Sequence, residues 1–382
     1  MKNILSVILI AFFCSACTSL PMLKTVSEQD RQWLLSGKAL VQQADHELPL
    51  PEERVLYLNK EMREFAENAV RGFEGVERVR ALLGAILNPS GLNLKYDVEA
   101  SFTAEEVFNK RRANCLAFTN IFVAMGRYVD MDVQYNEVDV PPIWDLRREN
   151  TLVLNKHINA MVTINKRSRH VIDLNVEEYD SLYEQRNVSD QLAVAQHYNN
   201  KAMAYLVDED YSKALRFIVK AINMAPHKSY LWNNLGALYR RSGNLQAAET
   251  SYLISLKENS DDLVAISNMA RLYKAKGELG LANYYKDKAH NYRMRNPYFL
   301  YGLAQRAFVE RDYDLAMERT EEAIFRYDKE HRFYFLLAAI YHQSGERQLA
   351  DDNLNKALEL SGDSTQQGRY IKKMERIASL SS

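Results

Sequence analysis

Three residues of this chain are of the types that together carry out nucleophilic chemistry: Cys115, His157 and Asp173. Cys115 stands at the start of an amphipathic helical pattern, where free backbone N–H groups and the positive end of the helix dipole favour a thiolate. His157 and Asp173 are flanked by alternating residues, as expected for two neighbouring strands. A cysteine, a histidine and an aspartate in this order are suited to act as nucleophile, base and orienting group.

The segments around these residues predict an α+β arrangement. Thr103 and Glu106 have the spacing of a capping box, which predicts a short helix before Cys115. Residues 121–128 carry apolar side chains at helical spacing, and residues 132–138 alternate as a strand. We expect a mostly antiparallel sheet that packs against the helix of Cys115.

The ordered set of short motifs resembles the core of the transglutaminase-like superfamily. The matching residues are Thr103-Ala104-Glu105-Glu106, Arg112-Ala113-Asn114-Cys115, Met125-Gly126-Arg127, His157 and Asp173. The resemblance covers about residues 52 to 185. The sequence departs from the usual pattern at Ala113, where glycine is common, and at Asn114, where a small or apolar residue is more usual. The resemblance implies a papain-like fold with a Cys-His-Asp triad in this chain order.

The same resemblance implies acyl transfer through a thioester on Cys115. His157 would take the thiol proton and deliver it to the leaving amine, and Asp173 would orient His157. The acyl acceptor would be water, in a protease or amidase, or an amine, in a transglutaminase, and bacterial members favour hydrolysis. Two alternatives remain. One is a catalytically inactive scaffold of this fold, and the other is a processing factor for one dedicated secreted partner.

The first residues predict an exported lipoprotein. Met1-Lys2-Asn3 is a short positive segment, and residues 4–13 form an apolar stretch too short to span a bilayer. The following Cys14-Ser15-Ala16-Cys17 resembles a bacterial lipoprotein signal, which implies cleavage after residue 16 and a lipid on Cys17. By the same resemblance, Thr18 favours the outer membrane, with the body of the protein in the periplasm. The alternative is an ordinary signal peptide that is cut nearby.

The cysteine count supports a reactive thiol. Of the three cysteines, Cys14 would leave with the signal peptide and Cys17 would carry lipid. Cys115 would then be the only free thiol of the mature chain, whereas exported proteins usually pair their cysteines. The alternative interpretation is a small buried apolar residue.

Length and composition are those of ordinary globular domains. A chain of 382 residues is expected to form two or three domains. Apolar residues make up 47% and charged residues 26%, and a formal net charge of -1 argues against a nucleic-acid partner. Five histidines in the C-terminal half lack the spacing of metal ligands, so neither a metal nor another cofactor is expected. They are His197, His227, His290, His331 and His342.

A repeat with a constant period of 34 residues begins near residue 191. One column of it holds Tyr205, Tyr239, Tyr273, Ala307 and Tyr341. Small residues recur at three further columns, where they let paired helices approach closely. The pattern resembles the tetratricopeptide repeat, with five units and a last helix that caps them. This resemblance implies a peptide or protein partner in a concave groove, and the alternative is a purely structural array.

The predicted fold is an α+β transglutaminase-like domain followed by an all-α tetratricopeptide-repeat solenoid. The predicted boundaries are a signal peptide at 1–16, a lipidated tether at 17–50, the α+β domain at 51–190, five repeats at 191–363 and a capping helix at 364–382. The predicted function is a thiol-dependent amide-bond hydrolase or acyltransferase of the cell envelope. Its substrate would be a protein or peptide recruited by the repeats, and the lipid on Cys17 would bind the membrane.

Overall fold

The structure is a computed structural model that describes residues 25–40, 49–139, 143–145, 151–153, 156–165, 168–174, 185–361 and 364–381. Within these ranges, the structure describes the backbone but not the side chains of residues 139, 143–145, 151–153, 156–157, 165, 364–365 and 377–381. The predicted lipidation residue Cys17 lies outside the described residues as well.

The first described helix, α1 (Glu28–Leu35), begins with a capping box. Ser27 accepts a hydrogen bond from the N–H of Asp30, and the Asp30 carboxylate accepts one from the N–H of Ser27. Leu34 is fully buried and belongs to the same hydrophobic core as the helices of the repeats. Residues 25–40, which the sequence assigns to a tether, therefore pack as part of the repeat array.

In the described part of the chain, five helices and two short strands precede the main sheet. They are α2 (Lys60–Val70), α3 (Gly75–Leu87), β1 (Lys95–Tyr96), α4 (Ala104–Lys110), β2 (Arg112–Ala113) and α5 (Cys115–Tyr128), together with the α1 helix already described. The predicted capping box of α4 is present, because Thr103 and Glu106 each accept a hydrogen bond from the other's backbone N–H. The predicted helix start at Cys115 is confirmed, with Asn114 as the N-cap.

Among the described residues, six further strands follow α5. They are β3 (Asp132–Asp139), β4 (Ile143–Asp145), β5 (Thr151–Val153), β6 (Lys156–Asn165), β7 (Ser168–Ile172) and β8 (Gln185–Val188). Four of them form one antiparallel sheet in the order β7-β6-β3-β8, and β4 pairs with β5 separately. The sheet and the helices α2 to α5 are called the sheet region below. Asp173 directly follows the end of β7.

One face of the four-stranded sheet packs on α5 and is called the α5 face. The Tyr135 hydroxyl of β3 donates a hydrogen bond of 2.7 Å to Asn120 of α5. Val133 packs against Gly126, where a Cβ would lie 2.8 Å from a Val133 methyl group. Because side chains alternate along a strand, Asn136 lies on the opposite face of the sheet, called the far face.

Five consecutive helix pairs and a last helix follow the sheet. The pairs are α6 (Asp190–Val207) with α7 (Tyr211–Met224), α8 (Ser229–Arg241) with α9 (Leu245–Glu258), α10 (Leu263–Ala275) with α11 (Leu279–Arg295), α12 (Pro297–Val309) with α13 (Tyr313–Arg326), and α14 (His331–Gln343) with α15 (Arg347–Ser361). The last helix, α16 (Ser364–Ser381), packs on α14 and α15.

The small residues of the predicted repeat lie where paired helices touch. Ala202, Ala304 and Ala338 are fully buried. A Cβ on Gly236 would lie 2.5 Å from a ring carbon of Tyr252, so α8 and α9 approach too closely for any larger residue at this position. The helical repeat architecture predicted from the sequence is confirmed.

Charged contacts join the sheet region to the first helix pair. Arg127 of α5 donates two hydrogen bonds to Asp190 of α6, at 2.6 and 2.9 Å. Glu53, which precedes α2, accepts hydrogen bonds from His197 at 2.7 Å and from Lys201 at 2.6 Å, both on α6. Farther along the array, β4 contacts α12. The sheet region and the repeats are therefore packed against each other.

Candidate functional site

A cavity of about 970 Å³ lies between the sheet region and the first helices of the first three pairs. Cys115 and Ile158 line it on the side of the sheet region, and residues of α6, α8 and α10 line it on the side of the repeats. This cavity is called the cleft. The predicted nucleophile and the helices predicted to bind a partner thus face the same space.

Cys115 is a free, partly exposed thiol at the first position of α5. Asn114 holds the backbone at this point, because its Oδ1 accepts a hydrogen bond of 2.9 Å from the N–H of Ala117. Its Nδ2 donates a second bond of 2.9 Å to the hydroxyl of Ser101. The asparagine at position 114 therefore has a structural role, since it serves as the helix cap.

Thr119, one turn along α5, connects the helix of Cys115 to β6. Its Oγ1 lies 2.8 Å from the carbonyl oxygen of Cys115 and 3.3 Å from that of Ile158, so both oxygens share one hydroxyl proton. Ile158 directly follows His157 in the chain. The first turn of α5 therefore lies against the start of β6.

His157 is the second residue of β6, and its backbone pairs with Val138 of β3. The side chain of His157 lies outside the described part of the structure. The two residues that follow it have described contacts to the other predicted site residues. Ile158 shares the Thr119 hydroxyl with Cys115, and the next residue along β6 contacts Asp173.

Asp173 is joined to a network of buried amides on the far face of the sheet. Asn159 Nδ2 donates to the Asp173 carboxylate at 3.1 Å. Asn136 Nδ2 donates to Asn159 Oδ1 at 2.8 Å and to Gln185 Oε1 at 3.0 Å. The helix of Cys115 packs on the α5 face, so Cys115 and the amide network of Asp173 belong to elements on opposite faces of the sheet.

The sequence-based prediction omits Asn136 and Asn159, although both carry this network. They are 1% and 0% exposed, and their hydrogen bonds satisfy polar groups that water does not reach. A signal was present in the sequence, because asparagine is depleted in strands and each of these residues interrupts a strand pattern. Their partners come from other strands and are not predictable from local sequence.

The repeat side of the cleft carries amide side chains at the repeat period. Asn199 of α6 and the neighbouring Asn233 and Asn234 of α8 line the cleft. Asn234 donates to Asn199 at 2.7 Å, and Asn268 of α10 donates to Asn233 at 2.9 Å. Asn199 and Asn233, like Asn234 and Asn268, are one repeat of 34 residues apart. This spacing is visible in the sequence. Once the repeat array is known, it predicts a row of amide side chains along one side of the cleft.

A buried carboxylate lies behind the cleft. Glu137 of β3 accepts a hydrogen bond of 2.7 Å from Arg186 and one of 3.3 Å from Gln196, and Gln196 itself lines the cleft. Burial raises the pKa of Tyr230, a further lining residue. Tyr230 therefore presents a neutral hydroxyl at neutral pH, which suits it to hydrogen bonding rather than to acid–base work.

The charged residues of the cleft are acidic. Glu99, Asp208 and Asp262 line it, and none of the described lining residues is a lysine, arginine or histidine.

Across the described residues, no three or more His, Cys, Asp or Glu side chains are grouped so as to hold a metal ion. No helix of the described chain combines the length and apolar character needed to cross a membrane.

The sequence model of the tetratricopeptide repeat family matches residues 229–262 and 331–364. These stretches fall on the second and fifth helix pairs. A curated relative, TPR repeat-containing protein MJ1428 of Methanocaldococcus jannaschii, is 25% identical over 174 residues. The matched part is 43% of this chain and 30% of the relative, so the chain spans less than a third of that protein. The tetratricopeptide repeats predicted from the sequence are confirmed.

Several solved structures are similar to about half of this chain. The APC/C hetero-tetramer Cut9-Hcn1 is 19% identical with a TM-score of 0.26, covering 48% of this chain and 36% of that one. PilF of Pseudomonas aeruginosa is 14% identical with a TM-score of 0.27, covering 50% and 90%. YrrB, described as a TPR protein with an unusual peptide-binding site, is 17% identical with a TM-score of 0.24, covering 47% and 92%.

Proposed function

We propose that this protein binds an extended polypeptide in the cleft between the sheet region and the repeats. The observation that carries the proposal is that the first helices of three successive pairs and the start of α5 line one space. The amides of Asn199, Asn233 and Asn234 are suited to this ligand, because carboxamide groups both donate to and accept from a peptide backbone. Repeat arrays offer extended surfaces for such partners.

Site-specific cross-linking tests this proposal. A benzophenone side chain at Met203 of α6 would face the cleft, and one at the exposed Asn291 of α11 serves as the control. The full chain in detergent is irradiated with a biotinylated pool of random 12-residue peptides. We expect labelling from position 203 that unlabelled peptide competes away. Equal labelling from both positions, or none from position 203, would contradict the proposal.

A second proposed function is acyl transfer on the bound polypeptide. The Cys115 thiolate would attack a peptide carbonyl, and the amine would leave with a proton from His157. Water or an amine would then attack the thioester and release Cys115, giving a carboxylic acid or a new amide. Asp173 would orient His157. The support is that Cys115 opens a helix and lines the same cleft, and that the sequence resembles the transglutaminase-like superfamily.

The alternative to this chemistry is an inactive scaffold of the same fold, in which the repeats alone act. The support for the scaffold is that the helix of Cys115 packs on the α5 face, whereas the hydrogen-bond network of Asp173 lies on the far face. Alkylation of Cys115 by iodoacetamide across pH distinguishes the two. A thiolate that forms well below the ordinary pKa of about 8.5, and only with His157 intact, supports the enzyme. A rate that His157→Ala leaves unchanged supports the scaffold.

We also propose that Cys17 carries a lipid and holds the protein at the outer membrane, facing the periplasm. The support is the short positive segment and apolar stretch that precede Cys17 in the sequence. Metabolic labelling with radioactive palmitate tests it, with Cys17→Ser as the variant and Cys115→Ser as the matched control. Label that survives Cys17→Ser would refute lipidation at this residue.

A further inference from the structure

We infer that the polypeptide in the cleft is cationic, with lysine or arginine side chains that lie along two apolar and acidic rims. This inference rests on the proposed polypeptide binding and adds the chemical class of the ligand. It is carried by the charge of the cleft, by the residues at its two rims and by one buried amide that faces it.

Each rim of the cleft presents an exposed valine followed by a carboxylate. Val98 and Glu99 precede α4 on one side, and Val207 and Asp208 end α6 on the other. Both valines are 70% exposed. A lysine or arginine side chain has an apolar stem and a charged tip, so its stem fits the valine while its tip reaches the adjacent carboxylate.

The carboxylates of the rims are available to a ligand. Neither Glu99 nor Asp208 forms an ion pair with any described residue of the chain, and Asp262 adds a third acidic group to the lining. The Asp262 carboxylate also accepts hydrogen bonds from the backbone N–H groups of Val264 and Ala265 and thereby caps the N-terminus of α10. A cleft lined by charges of one sign concentrates ligands of the opposite sign.

A side-chain amide of the same cleft is available to donate a hydrogen bond to a ligand. Asn233 is 5% exposed, and its Oδ1 accepts the hydrogen bond from Asn268. Its Nδ2 has no hydrogen-bond partner among the described residues, yet it belongs to a side chain that lines the cleft. Peptide carbonyl oxygens are acceptors of the required kind. A cationic polypeptide offers both positive charges for the rims and carbonyl oxygens for Asn233, whereas a simple polyamine lacks carbonyl groups.

Fluorescence anisotropy with defined peptides tests the inference on the full chain in detergent. Three fluorescein-labelled 12-residue peptides alternate serine with lysine, glutamine or glutamate. The test variant combines Glu99→Gln with Asp208→Asn. The control combines Glu310→Gln with Asp351→Asn, two exposed carboxylates away from the cleft, which changes the net charge equally. A third variant, Asn233→Ala, removes the buried amide.

We expect the lysine peptide to bind at least about fivefold more tightly than the glutamine peptide at low salt, because two exposed ion pairs form. The test variant and Asn233→Ala should each weaken binding, the control should not, and 1 M salt should remove the preference. Equal binding of the lysine and glutamine peptides would overturn the cationic ligand and leave polypeptide binding intact. Spermidine that binds as tightly as the lysine peptide, unaffected by Asn233→Ala, would overturn the polypeptide. Failure of all three peptides to bind would overturn both proposals.

Discussion

Asn159 donates a hydrogen bond of 3.1 Å to the carboxylate of Asp173, and this bond ties the end of β7 to the middle of the sheet. Asn159 is 0% exposed and also accepts from Asn136. We expect Asn159→Ala to lower the free energy of unfolding by about 1–3 kcal/mol, because buried polar partners lose their bonds. Urea unfolding measures this. Asn187→Ala, which removes an exposed amide bond to Gln134, should cost less than about 0.5 kcal/mol. Equal losses would contradict the role of the network.

Two glycines of the repeats should respond oppositely to alanine. Gly236→Ala places a Cβ 2.5 Å from the Tyr252 ring, and we expect a loss of about 1–3 kcal/mol from overpacking. Gly280, in α11, has nothing within 4 Å of the same atom, so Gly280→Ala should stabilise the helix by about 0.5–1 kcal/mol. Thermal and urea unfolding of both variants measure these changes in the free energy of unfolding. A neutral Gly236→Ala would mean that α8 and α9 can separate without cost.

The Glu53 carboxylate should contribute stability that depends on pH. Burial alone would raise its pKa, but hydrogen bonds and charge from His197 and Lys201 lower it below the ordinary value of 4.5. A lowered folded-state pKa gives stability that is present above the unfolded pKa and is lost as the pH falls through the folded value. We expect Glu53→Gln to cost about 1–3 kcal/mol at pH 7, and we expect the difference from wild type to shrink below pH 4.5.

The control for this prediction is Glu52→Gln. Glu52 is paired with Lys220, but its side chain is 81% exposed, so the pair should contribute little at any pH. Urea unfolding at pH 7 and at about pH 3 separates the two variants. A Glu53→Gln deficit that stays constant over this range would show that the lost stability is packing and not charge.

Leu34 should be needed for the stability of the repeats. Its side chain is fully buried in their core, and its carbonyl oxygen accepts a hydrogen bond from the Tyr239 hydroxyl. We expect Leu34→Ala to cost about 2–5 kcal/mol. Leu349→Ala makes the same substitution at a position that is 42% exposed and serves as the control. Circular dichroism of thermal unfolding measures both, and equal midpoints would show that α1 is not part of the array.

The cap of α5 should affect both stability and the thiol. Asn114→Ala removes the bond to the Ala117 N–H, and we expect a loss of about 0.5–2 kcal/mol. It should also slow alkylation of Cys115, because the helix start is less well fixed. Asn59→Ala removes the corresponding cap of α2, where Asn59 bonds the Met62 N–H, and should leave the alkylation rate unchanged. Equal rates in both variants would contradict a role of the cap in presenting Cys115.

Local patterns predict much of this fold. The period of 34 residues and the cap at Thr103 place helices within a residue or two of their observed starts, because both signals are encoded within one turn or one repeat. The helix that begins at Cys115 is predictable for the same reason. The antiparallel sheet follows from alternation, although the strand β8 gives no clear local signal.

The rest depends on contacts between distant segments. The packing of α1 on the repeats rests on pairs such as Leu34 and Tyr239, which are 205 residues apart. The cleft likewise joins Cys115 to α6, α8 and α10, and no spacing in the sequence reveals that these elements share one space. The partners of Asn159 and Asn233 become known only when the strands and helices are in place.

The docking of α1 on the repeats also sets an order of events during synthesis. The Tyr239 hydroxyl and the Asn244 amide, which hold Leu34 and Ala39, each come 205 residues after the residue they bind. At translation rates of roughly 5–20 residues per second, the residues that α1 packs against are synthesised about 10–40 s after α1 itself. The segment that contains α1 is therefore synthesised early but packs against the repeats late. A chain cut short before α8 would lack Tyr239 and leave Leu34 exposed, and an exposed apolar residue is a feature that quality-control proteases recognise.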